Sequence, residues 1–184
     1  LALDLAARGL PVFPCAGDKK PAISSAAGGH GLLDASLDPE RVRELWDMTR
    51  HGVLVGVPTG EASGFDALDL DYRHRAFEWE AMHAERLGVT RVHGTGGGGR
   101  HYLWRHAPGV RNSAGRVAQG IDVRGDGGYV IFPPSPGYSV LVDAPIADWP
   151  DWLLALVLPP PFPNGLRGTP PPRVATDMTG PPTG

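Results

Sequence analysis

Short apolar runs separated by a few well-signalled helices predict an α+β fold. Three observations carry this. Phe65 to Asp71 alternates apolar and polar residues with period two, as a half-buried strand does. Asp38-Pro39-Glu40 places an acid at a cap, proline at the first helical position and a second acid in the first turn, which marks a helix start. Hydrophobic residues make up 41% of 184 residues, enough for a core in one domain of ordinary size plus a tail.

Taken in order, Leu1 to Ala7 reads as the end of a helix closed by Gly9. Pro11 to Cys15 is a short strand, and Ala16 to Leu37 is a Gly/Ser/Ala-rich loop holding Lys19-Lys20-Pro21. The helix begun at Asp38 runs to about Met48, with Val42, Leu45 and Trp46 on one face. Val53 to Val57 is an apolar strand ended by Pro58-Thr59-Gly60. After the Phe65 strand, Arg75 to Leu87 is a helix capped by Gly88. Strands are expected at Val89–Val92, His101–Arg105, Ile121–Arg124, Tyr129–Phe132 and Tyr138–Val142, whereas Val110 to Gln119 reads as polar and irregular. Asp148 to Leu158 is a final helix. From Pro159 onward proline clusters with little that could pack, which predicts a Pro-rich disordered linker over 159–184 and a further domain beyond it. The start at Leu1, not Met, also points to a piece of a longer chain.

The net charge of −3 argues against a surface that is basic all over, as nucleic-acid glues are, but leaves room for a local basic groove. The single cysteine, Cys15, excludes an internal disulfide and a Cys-rich zinc site. No apolar run is long enough for a membrane span and no signal peptide is evident, so a cytoplasmic location is the default expectation.

Asp69 and Asp71 share one face of their strand, roughly 6–7 Å apart along the chain. Two acids on an otherwise apolar strand are costly to bury without a counter-ion, and a divalent cation is one solution. The solvent end of an edge strand is the other, and the pair alone does not decide between them. Asp66 falls on the opposite face and reads as a solvated loop acid. Asp122, in Gly120-Ile121-Asp122-Val123-Arg124, is either a third ligand or half of a surface pair with Arg124. Gly96 to Gly99 is a flexible hairpin or a loop whose backbone approaches phosphate. It is not a Walker A loop, lacking Gly-Lys-Ser/Thr, nor a dinucleotide fingerprint, because a strand follows it. His101, at the start of that strand, can donate to a phosphate oxygen. The other histidines (His30, His51, His74, His83, His93 and His106) lack metal-ligand spacing and read as surface or capping residues.

The set and order of these pieces resembles the N-terminal primase–polymerase (prim-pol) domain of the archaeo-eukaryotic primase superfamily, over about residues 1 to 157. The pieces are Gly9-Leu10-Pro11-Val12-Phe13-Pro14 with Lys19-Lys20-Pro21, Asp69-Leu70-Asp71, Gly98-Gly99-Arg100-His101-Tyr102-Leu103, and Gly120-Ile121-Asp122-Val123-Arg124-Gly125. Gly127-Gly128-Tyr129-Val130 and Pro133-Pro134-Ser135 complete it. The glycine stretch is longer than the family's, and no serine directly precedes the Gly-Gly pair.

The resemblance implies a two-part α/β prim-pol domain over 1–158, with an RNA-recognition-type antiparallel sheet flanked by helices and the site in a cleft. It implies Asp69, Asp71 and Asp122 as catalytic ligands of Mg²⁺ or Mn²⁺, with no structural zinc. It implies that His101 contacts the phosphates of the incoming (d)NTP, helped by Arg100 or Arg124, with Gly98, Gly99 and Lys20 (or Lys19) also at the nucleotide. The activity it implies is template-directed transfer of nucleotides to a 3′-hydroxyl on single-stranded DNA. That activity belongs to replication of a plasmid, phage or mobile element, with a fused or associated helicase. Two other readings stand beside it: a non-catalytic nucleotide- or nucleic-acid-binding module, and a metal-dependent glycosyltransferase that uses the Asp69-x-Asp71 pair.

Overall fold

The computed structural model describes residues 1–49 and 53–158. The expected linker (159–184) and His51 lie outside the described residues. In chain order the elements are α1 (Ala2–Ala7), β1 (Phe13–Cys15), α2 (Pro39–Asp47), β2 (Leu54–Pro58), β3 (Phe65–Leu70), α3 (Ala76–Leu87) and β4 (Val92–Gly94). There follow β5 (Arg100–Arg105), β6 (Ser113–Ala118), β7 (Ile121–Arg124), β8 (Tyr129–Ile131), β9 (Ser139–Val142) and α4 (Asp151–Val157). Short 3₁₀ turns at Ser25–Ala27, Gly31–Asp34 and Tyr72–His74 punctuate the loops. The fold is α+β with antiparallel sheets flanked by helices. One sheet has six strands in the order β6-β7-β3-β5-β4-β9, and the other has three in the order β1-β2-β8.

The helix signals act as expected at α2, where Asp38 caps the first turn by accepting from the Glu40 N–H at 3.0 Å. β3 lies inside the large sheet, paired with β5 on one side and β7 on the other. Its alternation therefore feeds two cores. Leu68 and Leu70, with Tyr102, Trp104, Ile121 and Val123, bury one face against Ala76 and Leu87 of α3 and Leu153 and Val157 of α4. Phe65, Ala67 and Leu103 bury the opposite face against Val55 and Val57 of β2, Val130 of β8, Val42 of α2 and Leu5 of α1. Each such large side chain, fully buried, stabilises the fold by about 1.5–3 kcal/mol. The large sheet is thus the middle layer. Along β3 that second face is covered at Phe65 and Ala67, and the Asp69 end is left to a cleft.

Ser113–Ala118 is strand β6, not irregular chain. It has no apolar alternation because it is a half-exposed edge, held by pairing with β7 that shifts register between Ser113 and Ala118. Asp66 is no solvated acid: it is 0% exposed. Its face of the sheet lies beneath α4, where the carboxylate pairs with His106 Nδ1 at 2.8 Å and accepts from the Ala107 N–H and Trp149 Nε1, each at 3.1 Å. Burial pushes its carboxyl above the usual range against those hydrogen bonds. His106 is correspondingly half-buried, not a surface residue.

On the same helix-covered face, buried Glu80 of α3 accepts from the hydroxyls of Tyr72 and Tyr102 and from Arg100 Nη1 at 2.6 Å. Burial, then the neighbouring Glu80, pushes the Tyr102 phenol up to about 12. This cluster ties α3 to the sheet behind the cleft.

Candidate active site

The register of the large sheet builds the site. Asp69 of β3 lies directly opposite Asp122 of β7 on one side and His101 of β5 on the other. His93 of β4 lies opposite His101 in turn. Directly opposed residues in antiparallel strands present their side chains on the same face. Asp122, Asp69, His101 and His93 therefore form one polar row across four strands.

Arg124, two residues after Asp122 on that face, bridges the two acids. Its Nη2 donates to Asp122 Oδ2 at 2.8 Å and to Asp69 Oδ2 at 3.3 Å. His101 Nε2 stands 3.4 Å from Asp69 Oδ1. The backbone N–H of Gly115 in β6 donates to Asp122 Oδ1 at 2.9 Å, so the edge strand helps to hold the acid. Asp71 follows the end of β3 and caps the Tyr72–His74 turn. It accepts from the Arg73 backbone N–H and Nε, each at 3.0 Å, and from Arg73 Nη2 at 2.8 Å, and His74 Nδ1 lies 3.1 Å away.

Electrostatics follow from these contacts. Burial pushes the Asp69 carboxyl up, but the His101 hydrogen bond and the Arg124 guanidinium outweigh it and hold it below the usual carboxylate range. The Arg73 hydrogen bonds hold Asp71 well below that range, against some desolvation. Both acids are thus carboxylates at neutral pH.

Asp122, Asp69 and His101 of the row face a cleft of about 560 Å³ that also takes in Asp71, Lys19, Arg73, Asn112 and Tyr138. The structure brings Asp69, Asp71, Asp122, His101 and Arg124 together around it. It does not bring Arg100, whose position next to His101 on a strand sends it to the opposite face and Glu80. Lys20 turns to Asp18, with Nζ 3.2 Å from the carboxylate, and Lys19 lines the cleft in its place. Gly98 and Gly99 spend their backbone N–H groups inside the loop, on the Thr95 carbonyl at 2.9 Å and the Thr95 hydroxyl at 3.1 Å. Thr95 and Gly97 are the loop residues that line the cleft. Arg73, Asn112 and Tyr138 went unread in the sequence. Arg73 alone had a local signal, a cation two residues after Asp71.

Gly99 is held for steric reasons. A Cβ there would collide with the Leu70 carbonyl oxygen, whereas one on Gly97 would meet only the tip of Arg73 at 3.9 Å. Gly99→Ala is expected to cost about 1–3 kcal/mol through the forced shift of β5 against β3, and Gly97→Ala to be near neutral. Paired thermal melts of the two variants check this.

His93 is fully buried, contrary to its reading as a surface or capping residue. Burial above all, with the Arg91 charge adding to it, pushes its pKa down to about 3. An unfolded histidine takes its proton near 6.5, so the folded state's advantage is complete above that pH and is lost as pH falls from 6.5 toward 3. The thermal midpoint is expected to fall with acid across that window, and more shallowly in His93→Leu.

A family model described as "Bifunctional DNA primase/polymerase, N-terminal" matches residues 2–152. The chain belongs to this prim-pol family. No curated protein matched the chain. The glycosyltransferase reading loses its basis, since it used only the Asp69–Asp71 pair. Among the described residues no helix is long and apolar enough to cross a membrane.

Prim-pol domains generally use divalent metals. The hard oxygen donors of Asp69, Asp71 and Asp122 suit Mg²⁺ or Mn²⁺ chemically. Even so, among the described residues no three His, Cys, Asp or Glu groups are arranged to hold an ion as they stand. The Arg124 guanidinium occupies the space between Asp69 and Asp122, and Arg73 engages both oxygens of Asp71. A cationic group therefore already stands where the acids call for positive charge.

Proposed function

We propose that this prim-pol domain, residues 1–158, is a template-directed nucleotidyltransferase, extending a 3′-hydroxyl with (d)NTPs on single-stranded DNA. The observation that carries the proposal is the Asp122–Asp69–His101 row facing a cleft with cationic side chains around it. In the reaction the 3′-oxygen forms a bond to the α-phosphorus and the bond from that phosphorus to the bridging oxygen of the β-phosphate breaks. Pyrophosphate leaves, and the hydroxyl proton passes to solvent.

Asp69, Asp122 and Asp71 would hold Mg²⁺ or Mn²⁺, with Arg124 and Arg73 giving up their present partners. When bound, the metal lowers the pKa of the attacking hydroxyl and neutralises charge on the leaving group. Arg124 and Arg73, once released, face the triphosphate with Lys19. His101 donates Nε2–H toward a phosphate oxygen while its strand fixes it beside Asp69. Positioning and electrostatics supply the catalysis in such a transfer, and the carboxylates themselves take no proton. The biological setting proposed is replication of a plasmid, phage or mobile element, in the cytoplasm.

One observation favours a second reading. All three acids are already neutralised by arginine, which suits a module that binds nucleotide without turning it over. Incorporation of labelled nucleotides on single-stranded DNA with Mg²⁺ or Mn²⁺, with and without a primer, separates the two. Products with primer alone support extension, and products without it support priming. Nucleotide binding with no product in any arm would establish the binding module and sink the transferase.

A further inference from the structure

Three ring nitrogens on two neighbouring imidazoles are buried without a hydrogen-bond partner: His101 Nδ1 and both nitrogens of His93. Buried polar atoms are nearly always paired, so such a cluster calls for an explanation. Strand register puts the two side chains on one face as direct neighbours. His93 also meets the Phe132 ring edge-on, with centroids 4.7 Å apart, and Phe132 offers no hydrogen-bonding group. Nε2 of His101 is directed to Asp69. If Nε2 carries the proton, a neutral His101 presents Nδ1 as an acceptor, and a donor on that side is needed to hold that tautomer. His93 is the polar side chain that the register places there, and a neutral imidazole has one N–H to give. Its depressed pKa keeps it neutral, so it has one ring N–H to give and carries no charge of its own into the buried layer.

We infer that His93 is a positioning residue: a direct or water-mediated hydrogen bond from its ring to His101 Nδ1 fixes His101 with Nε2–H toward the cleft. The consequence for triphosphate binding rests on the nucleotidyl-transfer reading above, but the tautomer does not. Nothing in the sequence marks His93 for this role, since it becomes visible only through the β4–β5 register.

The test is long-range ¹H–¹⁵N spectroscopy of the histidine rings in the full chain. Wild-type His101 is expected as a single Nε2–H tautomer whose Nδ1 carries the shift of a hydrogen-bonded acceptor. In His93→Leu that Nδ1 moves to a free-acceptor shift or the tautomers mix, and His93→Asn or His93→Gln restores the wild-type signature in part. KM for the nucleoside triphosphate rises roughly tenfold in His93→Leu, the weight of one buried hydrogen bond, while kcat changes less than about twofold. A free-acceptor Nδ1 in the wild type, or a His101 spectrum unchanged by His93→Leu, overturns the inference. Should the leucine variant not fold, the wild-type shift and the amide variants decide. A His93-dependent tautomer in a protein that incorporates no nucleotide would leave the inference standing and remove the transferase reading alone.

Discussion

Asp69→Ala and Asp122→Ala are each expected to abolish nucleotide incorporation with the fold intact. The two acids face each other across β3 and β7 and share Arg124. If they hold the divalent ion, removing either takes away charge stabilisation worth several kcal/mol in the transition state. That corresponds to a loss of roughly a thousandfold or more in rate. Stability has less to lose, because both side chains are partly exposed, at 26% and 30%. Single-turnover incorporation read beside a thermal melt separates the two effects. Full activity in either variant, with its melt unchanged, would end the assignment of that residue. Asp71→Ala is expected to follow them in activity. It should also loosen the Tyr72–His74 turn, since the carboxylate caps it.

Asp66→Ala is expected to give the opposite pattern, a large loss of stability from a residue that never touches the cleft. The truncation leaves the Ala107 N–H, Trp149 Nε1 and His106 Nδ1 without their acceptor in a buried place. Removing one partner from such a buried charged network costs about 3–5 kcal/mol. For a domain of this size, that is a fall of about 6–20 °C in melting temperature. Asp66→Asn keeps one acceptor oxygen and is expected to fall between wild type and alanine. A melting temperature for Asp66→Ala within a degree or two of wild type would show that the network contributes nothing to stability.

These two acids, three residues apart, show what the sequence could and could not say. Period-two alternation correctly separates Asp66 from Asp69 onto opposite faces. It does not say which face meets water, because α3 and α4, which cover the Asp66 side, come from elsewhere in the chain. The same gap explains Arg100. Its alternation with His101 was legible, but the waiting Glu80 on α3 was not. The capped start of α2, the strand ending near Asp71 and the gathering of Asp69, Asp122 and His101 were legible, the last through the order of the motifs and not through any one of them. β6 was hidden because an exposed edge strand needs no apolar pattern. The orphaned ring of His93 was hidden because a single histidine in a short strand has no local signature. Lys19 and Lys20 illustrate the finest scale: the pair was visible, and a left-handed backbone at Lys19, φ 73°, helps decide which of them reaches the cleft.

Binding of a nucleoside triphosphate with a divalent ion at the Asp122–Asp69–His101 row is what the proposed function stands on. The most direct measurement is a crystal structure grown with Mn²⁺ and a non-hydrolysable nucleoside triphosphate, using the anomalous signal to locate manganese. Manganese is expected within ligand distance of Asp69 and Asp122, with triphosphate density beside His101 and Arg124 released from the acids. Nucleotide bound in the cleft with Arg124 still bridging Asp69 and Asp122 and no manganese between them would rule out metal binding by these acids.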